Sequence, residues 1–223
     1  MSPADAPGDW WEELRAAVEP SGFRLNGGFH DEDAEAGGGT VALIGHAGPL
    51  LWQRFSADHH DGPDPLDRWT RTTLAPVAER FGAALVLPND GPPFRPFQRW
   101  AQRAEPVHPS PLGLLVHPRY GLWHALRAAM IFPDRRAVPP RNEAPSPCET
   151  CADRPCLTAC PVGAFDGTTY AADRCAAHVR TEAGRDCREQ GCRARHACPV
   201  GKDWAWADEQ QAFHMAAFLD GWS

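Results

Sequence analysis

The cysteines are the residues of this 223-residue sequence whose type and spacing most clearly predict chemistry. All eight lie between residues 148 and 198, in two groups of four. The first group is Cys148, Cys151, Cys156 and Cys160, and the second is Cys175, Cys187, Cys192 and Cys198. Each group ends in the same tetrapeptide, Cys-Pro-Val-Gly. Because thiolates bind iron and zinc, a repeated set of four indicates two metal sites.

The spacing of the first group is typical of the ligands of an iron–sulfur cluster. It is C-x2-C-x4-C-x3-C-P, with two more residues between its second and third cysteines than the run of bacterial ferredoxins. In ferredoxins with two clusters, the cysteine before the proline binds the other cluster. If the cysteines before the prolines, Cys160 and Cys198, each bind the cluster of the other group in the same way, the sequence predicts two [4Fe-4S] clusters. Cluster A takes Cys148, Cys151, Cys156 and Cys198, and cluster B takes Cys160, Cys175, Cys187 and Cys192.

Zinc and disulfides are two other uses of cysteine that this pattern leaves open. Structural zinc sites usually combine two short C-x2-4-C pairs across a longer spacer, whereas the second group contains no such pair. Disulfides need an oxidising compartment, and residues 1–11 lack the basic start and apolar core of a signal peptide. We therefore expect a cytoplasmic iron–sulfur protein, with a zinc-stabilised adaptor without redox activity as an alternative.

Charge is concentrated at the start of the sequence. The formal net charge is −7. The first 40 residues contain nine acidic residues and two arginines, so the rest of the chain is neutral. Binding of nucleic acid depends mainly on lysine and arginine side chains that neutralise phosphates, and we therefore expect nucleic acid to be an unlikely partner. No apolar run reaches the roughly 18 residues of a membrane-spanning helix.

Apolar patterning upstream of the cysteines predicts strands that alternate with helices, as in an α+β protein. Short apolar runs indicate buried strands at 40–45, 83–87 and 112–116. Periodic apolar residues predict helices at 10–18, 50–55, 66–81, 97–104, 171–180 and 208–219, and residues 122–132 fit either type. We divide the chain into an acidic leader and loop (1–39), an α/β domain (40–132), a proline-rich linker (133–147), a two-cluster module (148–203) and a C-terminal helix (204–223).

Several motifs, in order along the chain, resemble those of the epoxyqueuosine reductase family of iron–sulfur proteins. They are Asp90-Gly91-Pro92-Pro93 after a strand, Gly113-Leu114-Leu115-Val116 followed by Tyr120-Gly121-Leu122-Trp123, Cys148 to Pro161, Asp173-Arg174-Cys175, and Gly191-Cys192 with Cys198-Pro199. The resemblance implies a nitroreductase-like α/β domain before a ferredoxin module. It also implies a cobalamin-dependent reductase.

The sequence departs from that family at two points. The G-L-G-W-I-G-K signature of the family is replaced by Ser110-Pro111-Leu112-Gly113-Leu114, without its lysine, and the C-terminal helical repeat of many members is missing. The missing repeat and the acidic charge together make tRNA an unlikely substrate. The resemblance places Asp90 at the position of the family's general acid, while capping of the turn before Gly91 is the simpler interpretation.

Three further sets of side chains upstream of the cysteines could contribute to a cofactor site. The histidines could face a cofactor or form interior hydrogen bonds, and the last two are spaced for one helical face: His46, His117 and His124. The aromatic residues could form the wall of a flat-ring pocket or pack in the core: Phe94, Phe97, Trp100 and Trp123. The arginines are expected on a solvated helix face, with docking of an anionic partner as the alternative: Arg95, Arg99 and Arg103.

The cysteine pattern predicts function more directly than these upstream residues do. We expect an iron–sulfur electron-transfer protein that passes single electrons to a partner protein, to a small-molecule acceptor or to a substrate held by its own α/β domain. The alternative is a reductase in which that domain binds cobalamin, a flavin or another acceptor. Cationic side chains near the clusters would tune their potentials, and the candidates are Arg154, Arg174, Arg193 and Arg195.

Overall fold

The chain folds into two compact units in the computed structural model, which describes residues 9–32, 35–58 and 60–222. The first unit, here called the sheet unit, comprises Met1–Pro106 and His124–Ala144. The second, the cysteine unit, comprises Val107–Trp123 and Pro145–Ser223. The chain therefore leaves the sheet unit after residue 106, returns at residue 124, and leaves it a second time after residue 144.

The described residues form nine α-helices and six β-strands. The helices are α1 (Asp9–Val18), α2 (Leu50–Phe55), α3 (Pro65–Phe81), α4 (Phe97–Ala104), α5 (Pro155–Thr158), α6 (Ala172–Val179), α7 (Arg185–Gln190), α8 (Arg193–His196) and α9 (Asp208–Asp220). The strands are β1 (Arg24–His30), β2 (Thr40–Ala47), β3 (Ala84–Val86), β4 (His108–Pro109), β5 (Leu115–Val116) and β6 (His124–Phe132). Of the helices in the described ranges, none has the length and apolar character needed to cross a membrane.

The sheet unit is built on a four-stranded antiparallel sheet with the strand order β1-β2-β6-β3. Strand β2 is buried along almost its whole length, and so is the second half of β6. An inner strand that is covered on both faces reads as a continuous apolar run, which is why the sequence revealed it. The strands predicted at 40–45 and 83–87 are confirmed, residues 122–132 contribute a strand, and the fold mixes helices and sheet as expected.

The edge strand β1 lies in the region predicted as an acidic leader and loop, so that prediction is wrong for these residues. Two adjacent glycines hide the strand from sequence patterning. A Cβ on Gly27 would meet the carbonyl oxygen of Ala104 in α4 at 2.3 Å, and one on Gly28 would meet the ring of Trp11 in α1 at 3.0 Å. Neighbouring residues of a strand face opposite sides of a sheet, so α4 and α1 cover opposite faces. Residues 1–8, 33 and 34 of the predicted leader lie outside the described residues.

The helices of the sheet unit begin and end where local signals predict. Helix α3 starts at Pro65, whose missing N–H is tolerated in a first helical turn. It ends at Gly82, whose φ of +68° and backbone N–H close the last turn. Helix α4 buries one face, which includes Phe97 and Trp100. All four helices predicted before residue 106 are confirmed to within one residue at each end.

Residues 107–123 leave the sheet unit after α4 and help to build the cysteine unit. Strands β4 and β5 pair with each other in a small antiparallel ladder. Three apolar side chains of the segment, Leu112, Val116 and Leu122, form a buried cluster with Ala194 of α8. Several cysteines of both groups pack against this cluster. The segment therefore supplies the apolar core on which the cysteine loops rest.

Two predicted boundaries differ from the observed units. The apolar run at 112–116, predicted as a third strand of the α/β domain, contributes only the two-residue strand β5, and that strand belongs to the cysteine unit. The first part of the predicted linker, up to Ala144, belongs to the sheet unit. Apolar patterning shows that a run is buried but does not show which core it joins, and this explains the error.

Close backbone packing joins the segment 107–123 to the end of the second cysteine group. A Cβ on Gly121 would meet the carbonyl oxygen of Val200 at 2.0 Å, and one on Gly201 would meet the carbonyl carbon of Tyr120 at 2.3 Å. Both glycines have positive φ, which only glycine adopts at little cost. At the matching position of the first group, a Cβ on Gly163 would meet nothing within 4 Å. The two Cys-Pro-Val-Gly repeats therefore differ in their packing.

The remaining helices of the cysteine unit are short except for the last one. Helix α6 carries Cys175, as predicted. Helix α9 packs on α7 and is most deeply buried in its first turn, at Gln210 and Gln211. The side chain of Gln211 donates a hydrogen bond to the backbone oxygen of Trp206 at 2.9 Å. The helices predicted at 171–180 and 208–219 are thus both confirmed.

Candidate metal-cluster sites

Four cysteines surround each of two cavities in the cysteine unit. The volume is about 360 Å³ for cavity A and about 320 Å³ for cavity B, and both values include space that is open to solvent. Cavity A is lined by Cys148, Cys151, Cys156 and Cys198, together with Pro111, Val116, Pro147, Arg154, Pro155, Pro199 and Val200. Cavity B is lined by Cys160, Cys175, Cys187 and Cys192, together with Pro161, Val162, Phe165, His178, Val179, Arg193, Ala194 and Met215.

The two groups of cysteines exchange one member each. Cys160 belongs to the first group by sequence but lines cavity B, and Cys198 belongs to the second group but lines cavity A. The sets around the two cavities have the same members as the sets expected for clusters A and B. The prolines that follow Cys160 and Cys198 line the same cavities as these cysteines. Each Cys-Pro pair therefore forms part of the wall of the cavity that belongs to the other group.

The cysteines surround spaces, and they do not converge on single points. All eight are free thiols, with no disulfide among them. Among the described residues, no three histidine, cysteine or acidic side chains are grouped so as to hold one metal ion. A structural zinc ion draws four ligand atoms to about 2.0–2.3 Å from one centre. A ring of four thiols around a cavity suits a larger group, such as a four-iron cluster bound by four cysteines.

In the absence of a bound metal, burial disfavours the thiolate form of the cysteines around both cavities. It raises the pKa of Cys192 to about 11, and it raises the pKa values of Cys148, Cys156, Cys175 and Cys187 above their ordinary range, with neighbouring cysteines adding to the shift. Reactive cysteines have the opposite property, since nearby positive charge lowers their pKa. These cysteines therefore suit metal ligation, because bound cations would stabilise the thiolates, and they do not suit nucleophilic chemistry.

Backbone N–H groups point at several of the sulfur atoms. The N–H of Ala164 donates to Sγ of Cys160 at 3.3 Å. The N–H groups of Ala194 and Arg195 favour the thiolate of Cys192, because this residue immediately precedes α8 and the first N–H groups of a helix have no partner within it. Hydrogen bonds to the sulfurs are one of the features that set the potential of an iron–sulfur cluster.

The two extra residues of the first group are accommodated in a turn before α5. Arg154 has a φ of +39°, in the left-handed region that side-chain-bearing residues rarely adopt. Helix α5 then starts at Pro155, and Cys156 follows within its first turn. Arg154 and Pro155 both line cavity A. The longer spacing between Cys151 and Cys156 therefore brings an arginine to the cavity without removing either cysteine from it.

Two polar side chains near cavity B escaped the sequence analysis. The hydroxyl of Tyr170 lies within hydrogen-bonding reach of the Cys175 thiol, and the two side chains shift each other's pKa. His178 lines the cavity, and its Nε2 is buried without a hydrogen-bond partner. An unsatisfied polar atom is costly to bury, and the inorganic sulfides of a cluster would satisfy it. The residues around cavity B therefore fit an iron–sulfur cluster. His178 was detectable in principle, since it lies three residues after Cys175, whereas no local signal identifies Tyr170.

The four arginines predicted to tune cluster potentials have different surroundings. Arg154 and Arg193 line cavities A and B, respectively. Arg174 points towards the backbone oxygens of the Cys-Pro-Val-Gly turn at residues 160–163. Arg195 is buried and donates two hydrogen bonds to the backbone oxygen of Leu122, one of them at 3.0 Å.

Arg195 also lies between two tryptophan rings. Its guanidinium is 3.8 Å from the ring centroid of Trp206 and 4.5 Å from that of Trp123. Burial lowers its pKa to about 10, and it stays protonated at neutral pH. Through these contacts α8, which follows Cys192, is attached to the segment 107–123. Arg195 therefore combines a structural role with the position of a cation near cavity B.

Asp90 is held by hydrogen bonds at the end of strand β3. Its carboxylate accepts from the guanidinium of Arg71 and from the backbone N–H of Leu87, the latter at 2.8 Å. Burial opposes ionisation, but these two hydrogen bonds outweigh it and lower the pKa of Asp90. The carboxyl group is therefore ionised at neutral pH. The contact with Leu87, three residues earlier, is the turn-capping arrangement considered from the sequence.

The three candidate histidines do not share a face. His46 is fully buried on β2. His117 lies in a turn, where its Nδ1 accepts hydrogen bonds from the backbone N–H groups of Arg119 and Tyr120 at 3.0 and 3.3 Å. His124 begins strand β6. The helical spacing predicted for the last two is therefore wrong, because the chain between them forms a turn and no helix.

The candidate aromatic residues are mainly core residues. Phe97 and Trp100 pack in the core of the sheet unit, with their ring centroids 5.3 Å apart. Trp123 is buried in the cysteine unit against Arg195. Phe94 is the exception, since it is 66% exposed. Core packing, the second of the two interpretations, therefore describes three of the four residues.

The arginines on and before α4 bind the acidic segment that follows β1. Arg99 forms an ion pair with Glu35 at 2.6 Å, and Arg95 donates to the backbone oxygen of Glu35 at 2.7 Å. Arg103 donates to the backbone oxygen of His30 and stacks on the ring of Phe29. Arg95 and Arg99 are exposed and Arg103 is partly buried, so the expected solvated helix face is present, and its arginines also make these contacts. These arginines offset part of the negative charge counted near the start of the chain.

Two solved structures are similar to the chain, each over 92% of its length and 68% of their own. One is a crystal structure of selenomethionine-labelled epoxyqueuosine reductase, with a TM-score of 0.54 and 16% identity. The other is a crystal structure of epoxyqueuosine reductase with an epoxyqueuosine-modified tRNA-Tyr stem loop, with a TM-score of 0.54 and 14% identity. No family model and no curated protein matches the sequence.

The second of these structures overturns one prediction. Nucleic acid was expected to be an unlikely partner, but a protein of similar fold is seen with a tRNA stem loop. The prediction relied on the charges of the first 40 residues. Part of that negative charge is neutralised by ion pairs inside the sheet unit, such as those of Glu35 with Arg99 and Glu32 with Arg135. Charge counted along the sequence is therefore not a valid ground for excluding nucleic acid.

The likeness extends well beyond the cysteines. Because it covers 92% of the chain, it includes most of the sheet unit as well as the cysteine unit. At these identities it concerns the fold alone. The resemblance predicted from short motifs is confirmed at that level, and the chain is similar in fold to epoxyqueuosine reductase.

Proposed function

We propose that this protein is an iron–sulfur reductase that carries two [4Fe-4S] clusters in its cysteine unit. The observation that supports this most strongly is the exchange of Cys160 and Cys198, which gives each cavity four cysteines and leaves none over. The clusters would provide single electrons at low potential. The similarity in fold to a reductase, over both units, supports the same conclusion.

A reductase is favoured over a simple electron carrier. A carrier needs only the cluster-binding part, as in the small ferredoxins that the cysteine spacing resembles. Here more than half of the chain forms a separate sheet unit with its own core. We propose that the sheet unit holds the electron acceptor, with cobalamin as the first candidate and a flavin as the second. An external electron donor and a reducing, cytoplasmic setting complete the proposal, since all eight cysteines are free thiols.

The residues of the cysteine unit have distinct tasks in this proposal. The eight cysteines hold the clusters as thiolates. The N–H groups of Ala164, Ala194 and Arg195 donate to sulfur and so stabilise added negative charge. The buried cluster of Leu112, Val116 and Leu122 excludes water from one side of the cysteine loops, and burial is a further influence on the potential.

Asp90 is the residue that the family resemblance proposes as the general acid. The hydrogen bond from Arg71 keeps it ionised, so it would first have to take up a proton. A bound acceptor that displaces Arg71 would raise the pKa of Asp90 and allow this. The capping contact with Leu87 does not depend on such a role.

Metal analysis of anaerobically reconstituted protein tests the cluster proposal. We expect about eight iron and about eight sulfide per chain, with the absorption and electron paramagnetic resonance of reduced [4Fe-4S] clusters. Stoichiometric zinc with no sulfide would contradict it and would favour the adaptor without redox activity.

A second experiment separates the reductase from the carrier. The reconstituted protein is titrated with cobalamin and with flavins, and then reduced in the presence of an epoxyqueuosine-containing tRNA stem loop, the molecule seen with a protein of similar fold. Binding of an acceptor, with its reduction by the clusters, is the expected result. Failure to bind either acceptor, in protein that contains both clusters, would leave only the carrier function.

A further inference from the structure

Hydrogen bonds within the hairpin that precedes α6 position Tyr170. Phe165 and Tyr170 form an isolated antiparallel bridge, and the N–H of Ala171 donates to the oxygen of Ala164 at 2.9 Å. Between them, the carboxylate of Asp166 accepts four hydrogen bonds of 2.6–2.9 Å from the backbone N–H and hydroxyl groups of Thr168 and Thr169. The turn is therefore fixed by its own side chains, and Tyr170 leaves it in one direction.

Tyr170 makes two separable contacts at this position. Its ring stacks on Phe165, with the centroids 4.7 Å apart and the planes 8° from parallel. Its hydroxyl lies within hydrogen-bonding reach of Sγ of Cys175 and would donate to the thiolate form of that residue. Tyr170 is 42% exposed, so it lies between solvent and a cysteine of cavity B. Replacement by phenylalanine would remove the second contact and keep the first.

His178 approaches the same cavity from α6. It lies three residues after Cys175, so both side chains are on the same face of the helix. Both line cavity B, and Nε2 of His178 is buried without a partner. In the tautomer that carries the proton on Nε2, His178 would be able to donate a hydrogen bond to a sulfur atom of a cluster held in this cavity. The cavity thus has one side-chain donor for a cysteine sulfur and a second for the cluster itself.

We propose that Tyr170 and His178 are positioning residues that raise the reduction potential of cluster B by donating hydrogen bonds to its sulfur atoms. This inference rests on the proposed function. Adding an electron makes the sulfurs more negative, so a donated hydrogen bond is stronger in the reduced state. Removing a donor should therefore make the cluster harder to reduce.

Redox titration of reconstituted Tyr170→Phe and His178→Phe variants tests the proposal. Each change should lower the ratio of reduced to oxidised cluster B by about threefold at a fixed potential, a shift of about 28 mV at 59 mV per tenfold change. Both variants should shift the same one of the two reduction steps. Exchange into D2O should reveal proton couplings to the cluster that each variant loses.

Two control variants make the result specific. Tyr120→Phe changes the only other tyrosine of the chain and should leave the potentials of both reduction steps unchanged. Ser146→Ala removes a hydroxyl whose oxygen accepts a hydrogen bond from the backbone N–H of Cys148 of cavity A at 3.3 Å, and any shift that it causes should fall on the other step. Phe165→Leu disturbs the ring stack and keeps the tyrosine hydroxyl, so a purely structural role of Tyr170 predicts a larger effect here than in Tyr170→Phe.

The outcomes separate this inference from the proposed function. Wild-type iron and sulfide contents with unshifted potentials in both variants would overturn the inference and leave the two-cluster reductase intact. Equal shifts in Tyr120→Phe and Tyr170→Phe would overturn it as well. Absence of iron–sulfur clusters from the wild-type protein would overturn both.

Discussion

The two cavities of the cysteine unit come from a repeated sequence but are built in different ways. Cavity A is walled in part by Pro111 and Val116, which belong to the segment inserted between α4 and β6. Cavity B is lined only by residues between 160 and 215. The polar surroundings differ too, since cavity B has Tyr170 and His178 beside its cysteines. A duplicated ligand pattern therefore does not imply duplicated sites.

Alanine substitutions of the last residue of each repeat, Gly201 and Gly163, test this comparison. The substitution of Gly201 should have the largest effect on stability. In Gly201→Ala the new Cβ would lie 2.3 Å from the backbone of Tyr120. We expect the free energy of unfolding to fall by at least about 3 kcal/mol, because the backbone must move to make room for the Cβ and because alanine is strained at a positive φ. Because Val200 lines cavity A, iron should fall from about eight towards about four per chain. Thermal unfolding and iron analysis under anaerobic conditions measure both.

Gly163→Ala is the matched control in the first repeat. This glycine also has positive φ, but a Cβ would meet nothing within 4 Å. Only the cost of the left-handed conformation remains, about 1–2 kcal/mol, and the iron content should not change. Equal effects of the two substitutions would show that the two repeats pack alike and would contradict the difference between Gly163 and Gly201.

Arg195 should give the next largest effect, because it joins α8 to the segment that walls cavity A. Arg195→Leu would leave the oxygen of Leu122 without two hydrogen bonds and remove both cation–π contacts. We expect a loss of about 2–3 kcal/mol. Arg185→Leu, which breaks an exposed helical ion pair with Glu182, should cost about 0.3–0.5 kcal/mol. The measurement is the midpoint of thermal unfolding of the two reconstituted variants. An equal decrease in both midpoints would contradict this prediction.

The smallest predicted effect lies outside both cavities, at Asp90. Its lowered pKa means that the stability it contributes is present above the ordinary pKa of an aspartate and is lost as the pH falls through the lowered value. The group is partly exposed, so the effect should be slight. Urea midpoints between pH 7 and pH 3 should fall a little more for the wild type than for Asp90→Asn. A steeper fall in the variant would contradict this sign, and the iron content at pH 7 should be the same in both.

The sequence was most informative where chemistry or burial is local. The Cys-Pro endings and close spacing of the first group predicted which four cysteines share each cavity, even though the second group is irregular. Strand β2 and helices α2 to α4 followed from apolar runs and periodicity. These signals depend on neighbours within a few residues, so one sequence was enough to find them.

Most of the failures involve contacts between residues that are distant in the sequence, and the others involve turns that the apolar pattern does not reveal. Strand β1 contains Gly27 and Gly28, which weaken a strand pattern and exist because α4 and α1 approach closely. The segment 107–123 looks like part of the sheet unit until its packing on Ala194 is known. Tyr170 reaches Cys175 only because a hairpin turns it there. Charge counting failed because it ignored ion pairs such as that of Glu35 with Arg99.

The central claim is that Cys160 and Cys198 exchange between two clusters, and pairs of substitutions test it most directly. Cys151→Ala/Cys198→Ala removes two cysteines of cavity A, whereas Cys192→Ala/Cys198→Ala removes one from each cavity. The measurement is the number of intact [4Fe-4S] clusters per chain, counted by Mössbauer spectroscopy after anaerobic reconstitution. The exchange predicts about one for the first pair and none for the second. The reverse result, none for the first pair and one for the second, would contradict the account.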